Sequence, residues 1–179
     1  MFDPSVYCHR RDMLKQQLRS GLVLFPGHSP SPINFEANPY PFRQDSSFLY
    51  YGGPNQPNCT LLIDIDDDQE TLHGPEASPD DIVWTGRMPS MAERAEQAGI
   101  RHSGSTEQVE TVLRKARADD RPIHYLPAYR PDQMLALSQW LAVSPRQVNQ
   151  ESSLDLIRAV VAQRSIKAPV EIAEIESDM

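Results

Sequence analysis

The spacing of apolar residues predicts five helices along the chain. In each of them, apolar side chains recur every three or four positions and so share one side of the helix. Asp3 supplies an N-cap and Pro4 suits the first helical position, while Ser90 and Ser105 each begin a capping box. The predicted helices are residues 3–19, 90–99, 105–120, 131–143 and 153–166.

The same spacing selects the side chains that we expect to face the core. They are Val6, Met13 and Leu14 in the first helix, Val109, Val112, Leu113 and Ala116 in the third, Met134, Leu137 and Leu141 in the fourth, and Leu154, Ile157, Val160 and Val161 in the fifth.

Short apolar runs between turn residues predict strands. They lie at residues 22–26, 47–53, 59–65, 71–75, 81–86 and 121–127. Strands that alternate with helices indicate an α/β layered domain. The strands in the middle of the chain are close enough for hairpins, so we expect a mixed sheet rather than a purely parallel one.

Length and charge narrow the function classes. A chain of 179 residues suits one domain, and no apolar run approaches the roughly 20 residues that cross a bilayer. The net charge of −8 argues against a nucleic-acid or anionic-membrane binder. The N-terminus lacks a signal-peptide core, and Cys8 and Cys59 lie far apart without a CxxC spacing, so we expect two reduced thiols and a cytoplasmic protein.

Catalytic motifs are sparse. None of the five histidines has the spacing of a helix-borne zinc site, and the chain contains no GxSxG or GxxxxGK motif. We expect His124, inside an apolar strand, to be a hydrogen-bonded core residue. Asp64 and Asp66 share a strand face and are followed by residues 67–68, so they could hold Mg²⁺ in a two-metal nuclease, although a solvated turn is the favoured interpretation.

Residues 38–53, "NPYPFRQDSSFLYYGG", form the most distinctive segment. Arg43 and Asp45 follow two prolines inside an aromatic run. An arginine held beside aromatic rings suits carboxylate recognition or an ion pair between domains. The alternative is a structural loop that holds the edge of the sheet, and the sequence leaves both open.

The C-terminal residues predict the start of another helix. Pro169 suits its first position, Glu171 its first turn, and Ile172 and Ile175 share one side. A helix of this length is marginal alone. We therefore expect the front part of a longer protein.

Four segments resemble the N-terminal domain of aminopeptidase P, the Xaa-Pro aminopeptidases of peptidase family M24. In chain order they are "HRRDMLKQQL" (9–18), "YPFRQDSSFLYYGG" (40–53), "DIVWTGRM" (81–88) and "RSIKAPVEIAEIESDM" (164–179). The resemblance covers nearly the whole chain, with a match in pattern alone over 90–150. It implies an N-terminal domain over 1–165 and, over 166–179, a linker with the first helix of a pita-bread catalytic domain.

The resemblance also implies a role. The family's N-terminal domain is a ribonuclease-H-like α/β layer that helps build homo-oligomers and shapes the entrance for Xaa-Pro peptides. The chemistry belongs to the catalytic domain, which holds two divalent metal ions, typically manganese, so we expect no catalytic or metal-binding residue in this chain. The positions expected to contact substrate or a neighbouring domain or subunit are Tyr40, Arg43, Asp45, Trp84 and Arg87.

Two other function classes remain open. One is a protein-binding module of a catalytically dead relative, as in histone-chaperone subunits that are similar to aminopeptidase P. Intact metal ligands in the sequence downstream would favour the enzyme over this alternative. The other is the two-metal nuclease at Asp64 and Asp66, which a titration with divalent metal would test.

Overall fold

The computed structural model describes residues 1–35, 37–78, 83 and 86–177. The strands of this part are β1 (Leu22–Pro26), β2 (Thr60–Asp64), β3 (Gln69–His73), β4 (His102–Gly104) and β5 (Ile123–Tyr125). The helices, numbered along the chain, are α1 (Pro4–Leu18), α2 (Ser46–Gly52), α3 (Met91–Glu96), α4 (Thr106–Ala118), α5 (Pro131–Leu141), α6 (Pro145–Gln150), α7 (Leu154–Ser165) and α8 (Pro169–Ser177).

The strands form one mixed sheet in the order β4-β3-β2-β1-β5. Strands β1, β2 and β3 are antiparallel neighbours, whereas β5 pairs in parallel with β1 and β4 pairs in parallel with β3. The predicted α/β class with a mixed sheet is therefore confirmed. The strands predicted at 22–26, 59–65, 71–75 and 121–127 overlap β1, β2, β3 and β5, and the one predicted at 81–86 lies largely outside the described residues.

Helices cover both faces of the sheet. Side chains alternate along β1, so Val23 and Phe25 join one core while Leu22 and Leu24 join the other. The first core lies under α1, α2, α3 and α7, and the second lies under α4, α5 and α6. No helix in the described part is long and apolar enough to cross a membrane.

The prediction of a strand at 47–53 was wrong, because this segment forms most of helix α2. The Asp45 carboxylate caps this helix by accepting hydrogen bonds from the amides of Ser47 and Phe48, at 2.9 Å each. A short apolar run does not distinguish a strand from a buried helix by its pattern. The decisive signal was the capping residue before the run, which the sequence analysis treated as a candidate binding group.

The predicted inward faces are confirmed in part. The following predicted residues are buried, as is Trp140: Leu14, Val109, Leu113, Ala116, Leu137, Leu141 and Val160. The prediction was wrong for three residues, which are exposed on the surface: Met13, Leu154 and Val161.

Both errors have a physical reason. Helix α7 is apolar on more than one side, and it packs through Leu156 and Ala159 together with the predicted Val160, which leaves Leu154 and Val161 on the surface. In α1 the buried side includes two arginines, Arg10 and Arg11, which a search for apolar side chains excludes.

Candidate functional site

Gln44 anchors the segment 38–53 to the rest of the domain. Its side chain is buried, and its Oε1 accepts hydrogen bonds from the amides of Asp45 at 2.8 Å and His28 at 2.5 Å. Its Nε2 donates to the carbonyl of Gln56 at 2.6 Å. One amide side chain thus joins three stretches of loop. Gln44 was not among the predicted site residues because the charged residues that flank it are more conspicuous, although an amide suits a position that must both donate and accept.

Asp45 has a structural role as the cap of α2, and one of its oxygens remains beside a histidine. The Asp45 Oδ2 lies 3.9 Å from the His28 Nε2. The His28 Nδ1 lies 3.1 Å from the Arg43 carbonyl, which can only accept, so this nitrogen carries the proton. The histidine is therefore oriented with its second nitrogen toward the carboxylate.

Tyr40 and Arg43 lie on the outer surface of the same loop. Tyr40 is 57% exposed, and its backbone amide donates to the carbonyl of Ser31. The Arg43 guanidinium is exposed and makes no hydrogen bond or ion pair with the described residues. An ion pair of Arg43 with this domain is thus not observed in the described part, and its side chain is free to contact another molecule or domain.

The remaining two predicted contact residues lie apart from this loop in the chain. Arg87 is exposed and pairs at 2.7 Å with Glu93, which belongs to the capping box of α3. Trp84 lies outside the described residues.

A cleft of 310 Å³ lies beside the loop, at the carboxyl ends of β1 and β5. His28 and Asp45 line one part of it, and Arg130 and Gln133 line another. The Arg130 guanidinium is held by Asp132 at 3.0 Å and by the carbonyl of Ser29 at 3.0 Å. The carboxyl end of parallel strands is a common place for ligands in α/β sheets. The cleft is therefore a candidate ligand site in the described part of the domain.

The acidic residues after β2 form a structural ion pair. The Arg121 guanidinium contacts Asp64 at 2.5 Å and Asp66 at 2.6 Å. Hydrogen bonds from Arg121, with one from the amide of Gly21, lower the pKa of Asp66. No group of three or more His, Cys, Asp or Glu in the described part is arranged to hold a metal ion. The described residues thus do not fit a two-metal site, and the nuclease hypothesis has no support.

His124 is hydrogen-bonded at both ring nitrogens, as expected, although it is only half-buried. Its Nε2 faces the carbonyl of Ser20 at 3.2 Å and therefore donates, so its Nδ1 accepts from the Ser153 hydroxyl at 2.7 Å. The Ser153 hydroxyl in turn accepts from the amide of Leu156 and caps α7. The hydrogen bond between Ser153 and His124 therefore connects β5 to the start of α7.

Arg11 joins α1 to the ends of two other helices. It is fully buried, and its Nε donates to Glu70 at 2.7 Å. Its two terminal nitrogens donate to the carbonyls of Tyr51 at 2.8 Å and Ala98 at 3.0 Å. These carbonyls belong to the last turn of α2 and to the turn after α3. Arg11 therefore satisfies backbone groups that the helix ends leave without partners.

Arg10, its neighbour, lies at the junction with the C-terminal helix. Its guanidinium stacks 3.9 Å from the centre of the Tyr50 ring and donates to the Tyr50 carbonyl at 3.0 Å. On its other side the Nη2 lies 3.4 Å from the Glu171 carboxylate. We call Arg10, Tyr50 and Glu171 the junction cluster. It joins three of the segments on which the family resemblance rests.

The sequence model of the family described as "Aminopeptidase P, N-terminal domain" matches residues 7–124, about two thirds of the chain. The chain belongs to this family. The match includes two members of the junction cluster, Arg10 and Tyr50, and both buried anchors, Arg11 and Gln44.

The relatives of the chain are proteins of which it matches only a part. A Metarhizium acridum protein named "Probable Xaa-Pro aminopeptidase" is 28% identical over 169 residues, which are 93% of this chain and 32% of that protein. An Emericella nidulans protein with a similar name is 36% identical over 97 residues, which are 49% of this chain and 21% of that protein. The chain thus spans about a third or less of these relatives.

Solved aminopeptidase P structures share the fold. The low-pH form of the Escherichia coli enzyme has a TM-score of 0.75 and 20% identity, over 97% of this chain and 41% of that one. The Pseudomonas aeruginosa enzyme has a TM-score of 0.77 and 21% identity, over 96% of this chain and 40% of that one. The fold of these aminopeptidase P structures thus extends across nearly the whole chain.

Proposed function

We propose that this chain is the non-catalytic N-terminal domain of a metal-dependent Xaa-Pro aminopeptidase. The observation that carries the proposal is the family match together with the length of the relatives, because nearly all of this chain aligns with only 32% of a relative named for that activity. The parent enzyme would remove the first residue of peptides that have proline second. Residues 1–165 would form the domain, and 166–179 would lead into the catalytic domain.

The metal ions would belong to the catalytic domain. The candidate acidic pair in this chain is already matched by Arg121, which supports that assignment. In that domain, two divalent ions, manganese as is typical of the family, would activate water for attack on the peptide bond. The contribution of this chain would be to bind and orient, and we expect the parent enzyme in the cytoplasm.

The exposed side chains of the signature segments would shape the substrate entrance and subunit contacts. Arg43 and Tyr40 are exposed, and the Arg43 guanidinium has no partner in the described part of the domain. A free guanidinium suits a carboxylate on the catalytic domain, on a neighbouring subunit or at the end of a peptide. Trp84 and Arg87 would provide a second contact, with Trp84 covering an apolar proline ring.

The test compares the 179-residue chain with the longer protein that this proposal implies. We expect the chain alone to release no residue from an Xaa-Pro peptide and to bind no stoichiometric Mn²⁺ or Zn²⁺. The longer protein should hydrolyse the peptide, and a chelator should abolish that activity. Chelator-sensitive hydrolysis by the chain alone would overturn the accessory role. A longer protein that lacks metal ligands and activity would instead identify a protein-binding module.

A further inference from the structure

Helix α8 has few contacts of its own with the rest of the domain. None of its residues is buried, and Ile172 and Ile175 are 45% and 52% exposed. A helix of nine residues is marginally stable in water when nothing packs against it. Its orientation therefore depends on a small number of specific contacts.

Glu171 supplies the contact from the α8 side. One carboxylate oxygen, Oε2, accepts a hydrogen bond from the amide of Ala168 at 2.9 Å and so closes the first turn of the helix. The other oxygen, Oε1, faces Arg10. One oxygen of Glu171 thus caps the helix, and the other contacts Arg10 in the rest of the domain.

Arg10 is held in place by contacts other than the one with Glu171. Only 6% of its side chain is exposed, and the Tyr50 ring and carbonyl fix the plane of the guanidinium. The backbone carbonyl of Arg10 also accepts a hydrogen bond from Gln163 at 3.1 Å, which joins α1 to α7. The Arg10 Nη2 has no hydrogen bond within the described residues, so its stabilisation comes from the Glu171 charge at 3.4 Å. The rings of Phe2, Tyr7 and Tyr50 also contact the guanidinium, but Glu171 is the one carboxylate paired with this buried charge in the described part, so its position matters.

We propose that Arg10 is the positioning residue of α8: the Arg10–Glu171 ion pair, stacked on Tyr50, sets the direction in which the chain leaves the domain. The purpose of this direction rests on the proposed function. It presents Ile172 and Ile175 to the rest of the catalytic domain, of which α8 would be the first helix, and this occupant is inferred from a relative that is about three times as long as this chain. The proposed metallopeptidase site would contain none of these residues.

The test measures backbone order of α8 in the 179-residue chain by ¹⁵N relaxation. In the wild type, the amides of 171–176 should have order parameters near those of α7, about 0.8, and Arg10→Met should lower them below about 0.6 while α7 is unchanged. Arg10→Lys keeps the charge and should restore part of the order. Glu174→Gln, one turn later on the same helix, should resemble the wild type.

Glu171→Gln provides a second variant that does not touch the buried part of the domain. Its amide oxygen can still accept from Ala168, so α8 keeps its cap and loses the charge. We expect the same loss of order as in Arg10→Met and no further loss when the two changes are combined. An α8 that stays equally ordered in both variants, or that is already disordered in the wild type, would overturn the proposal.

A peptidase assay of the longer protein separates the two proposals. If the longer protein is active, Arg10→Met should lower kcat/KM for Xaa-Pro peptides several-fold, and Glu174→Gln should not. If it is inactive, the proposed function fails, whereas the order of α8 still decides the role of Arg10. An active enzyme that is unaffected by Arg10→Met would refute the link from α8 to the catalytic domain.

Discussion

Arg11→Met should lower the free energy of unfolding by about 3 to 5 kcal/mol, the range measured when one partner of a buried charge pair is removed. Methionine is close in size and apolar, so the change removes the hydrogen bonds without leaving a large cavity. The carbonyls of Tyr51 and Ala98 would lose their donors, at about 1 to 3 kcal/mol each when a buried group is left unpaired. Glu70 would keep Lys15 as a partner at 3.1 Å, which limits the loss from that carboxylate.

Urea unfolding followed by far-UV circular dichroism measures this loss. For a domain of this size, 3 to 5 kcal/mol corresponds to a decrease in Tm of roughly 6 to 20 °C, which thermal unfolding would check. Arg43→Met is the matched control, because it removes the same side chain from an exposed position with no partner in the described part, and it should change stability by less than about 0.5 kcal/mol. If Arg11→Met unfolds within about 1 kcal/mol of the wild type with the same m-value, the buried hydrogen bonds of Arg11 contribute far less than the expected 3 to 5 kcal/mol.

Three further predictions concern single side chains. Asp45→Ala should cost about 1 kcal/mol in urea unfolding through loss of the α2 cap, and Asp45→Asn should retain most of that stability, so equal losses would contradict the capping role. Burial lowers the pKa of His73, so between its folded pKa and about 6.5 the unfolded chain binds a proton that the folded chain does not. Stability should therefore fall as the pH drops from 7 through this range, and His73→Gln should flatten the slope in a pH series of urea midpoints. Trp140→Ala should lower the free energy of unfolding by about 3 to 5 kcal/mol, whereas Trp84→Ala should change the stability of the chain little. In the longer enzyme, Trp84→Ala should lower kcat/KM for short Xaa-Pro peptides. Equal losses of stability in the two variants would indicate that Trp84 is a core residue.

Local signals in the sequence predicted the local structure well. Helix α1 begins where Asp3 and Pro4 place it, and the capping boxes at Ser90 and Ser105 are both present. These signals act within one turn of helix, so they can be read without knowing what the helix packs against. The same reasoning applied to Asp45 would have predicted α2 as well.

Contacts between distant residues could not be predicted in the same way. Arg11 and Gln44 are polar, and polar residues are mostly exposed, yet both are buried because they satisfy backbone groups of segments far along the chain. Nothing within a few positions of either residue indicates those partners. The resemblance to a family marked both segments as distinctive, but their geometry came only from the structure.

The order of strands in the sheet has a consequence for how the chain folds. Strands β1, β2 and β3 pair in the order in which they follow one another along the chain, whereas Leu22 of β1 pairs with Ile123 of β5 across about a hundred residues. Closing so large a loop costs entropy before the contacts form, so the parallel pairing should be late. During synthesis, at about 5 to 20 residues per second, the free edge of β1 would thus wait several seconds for its partner. In that interval the nascent chain exposes an apolar strand edge, which is where chaperones or aggregation would compete with folding.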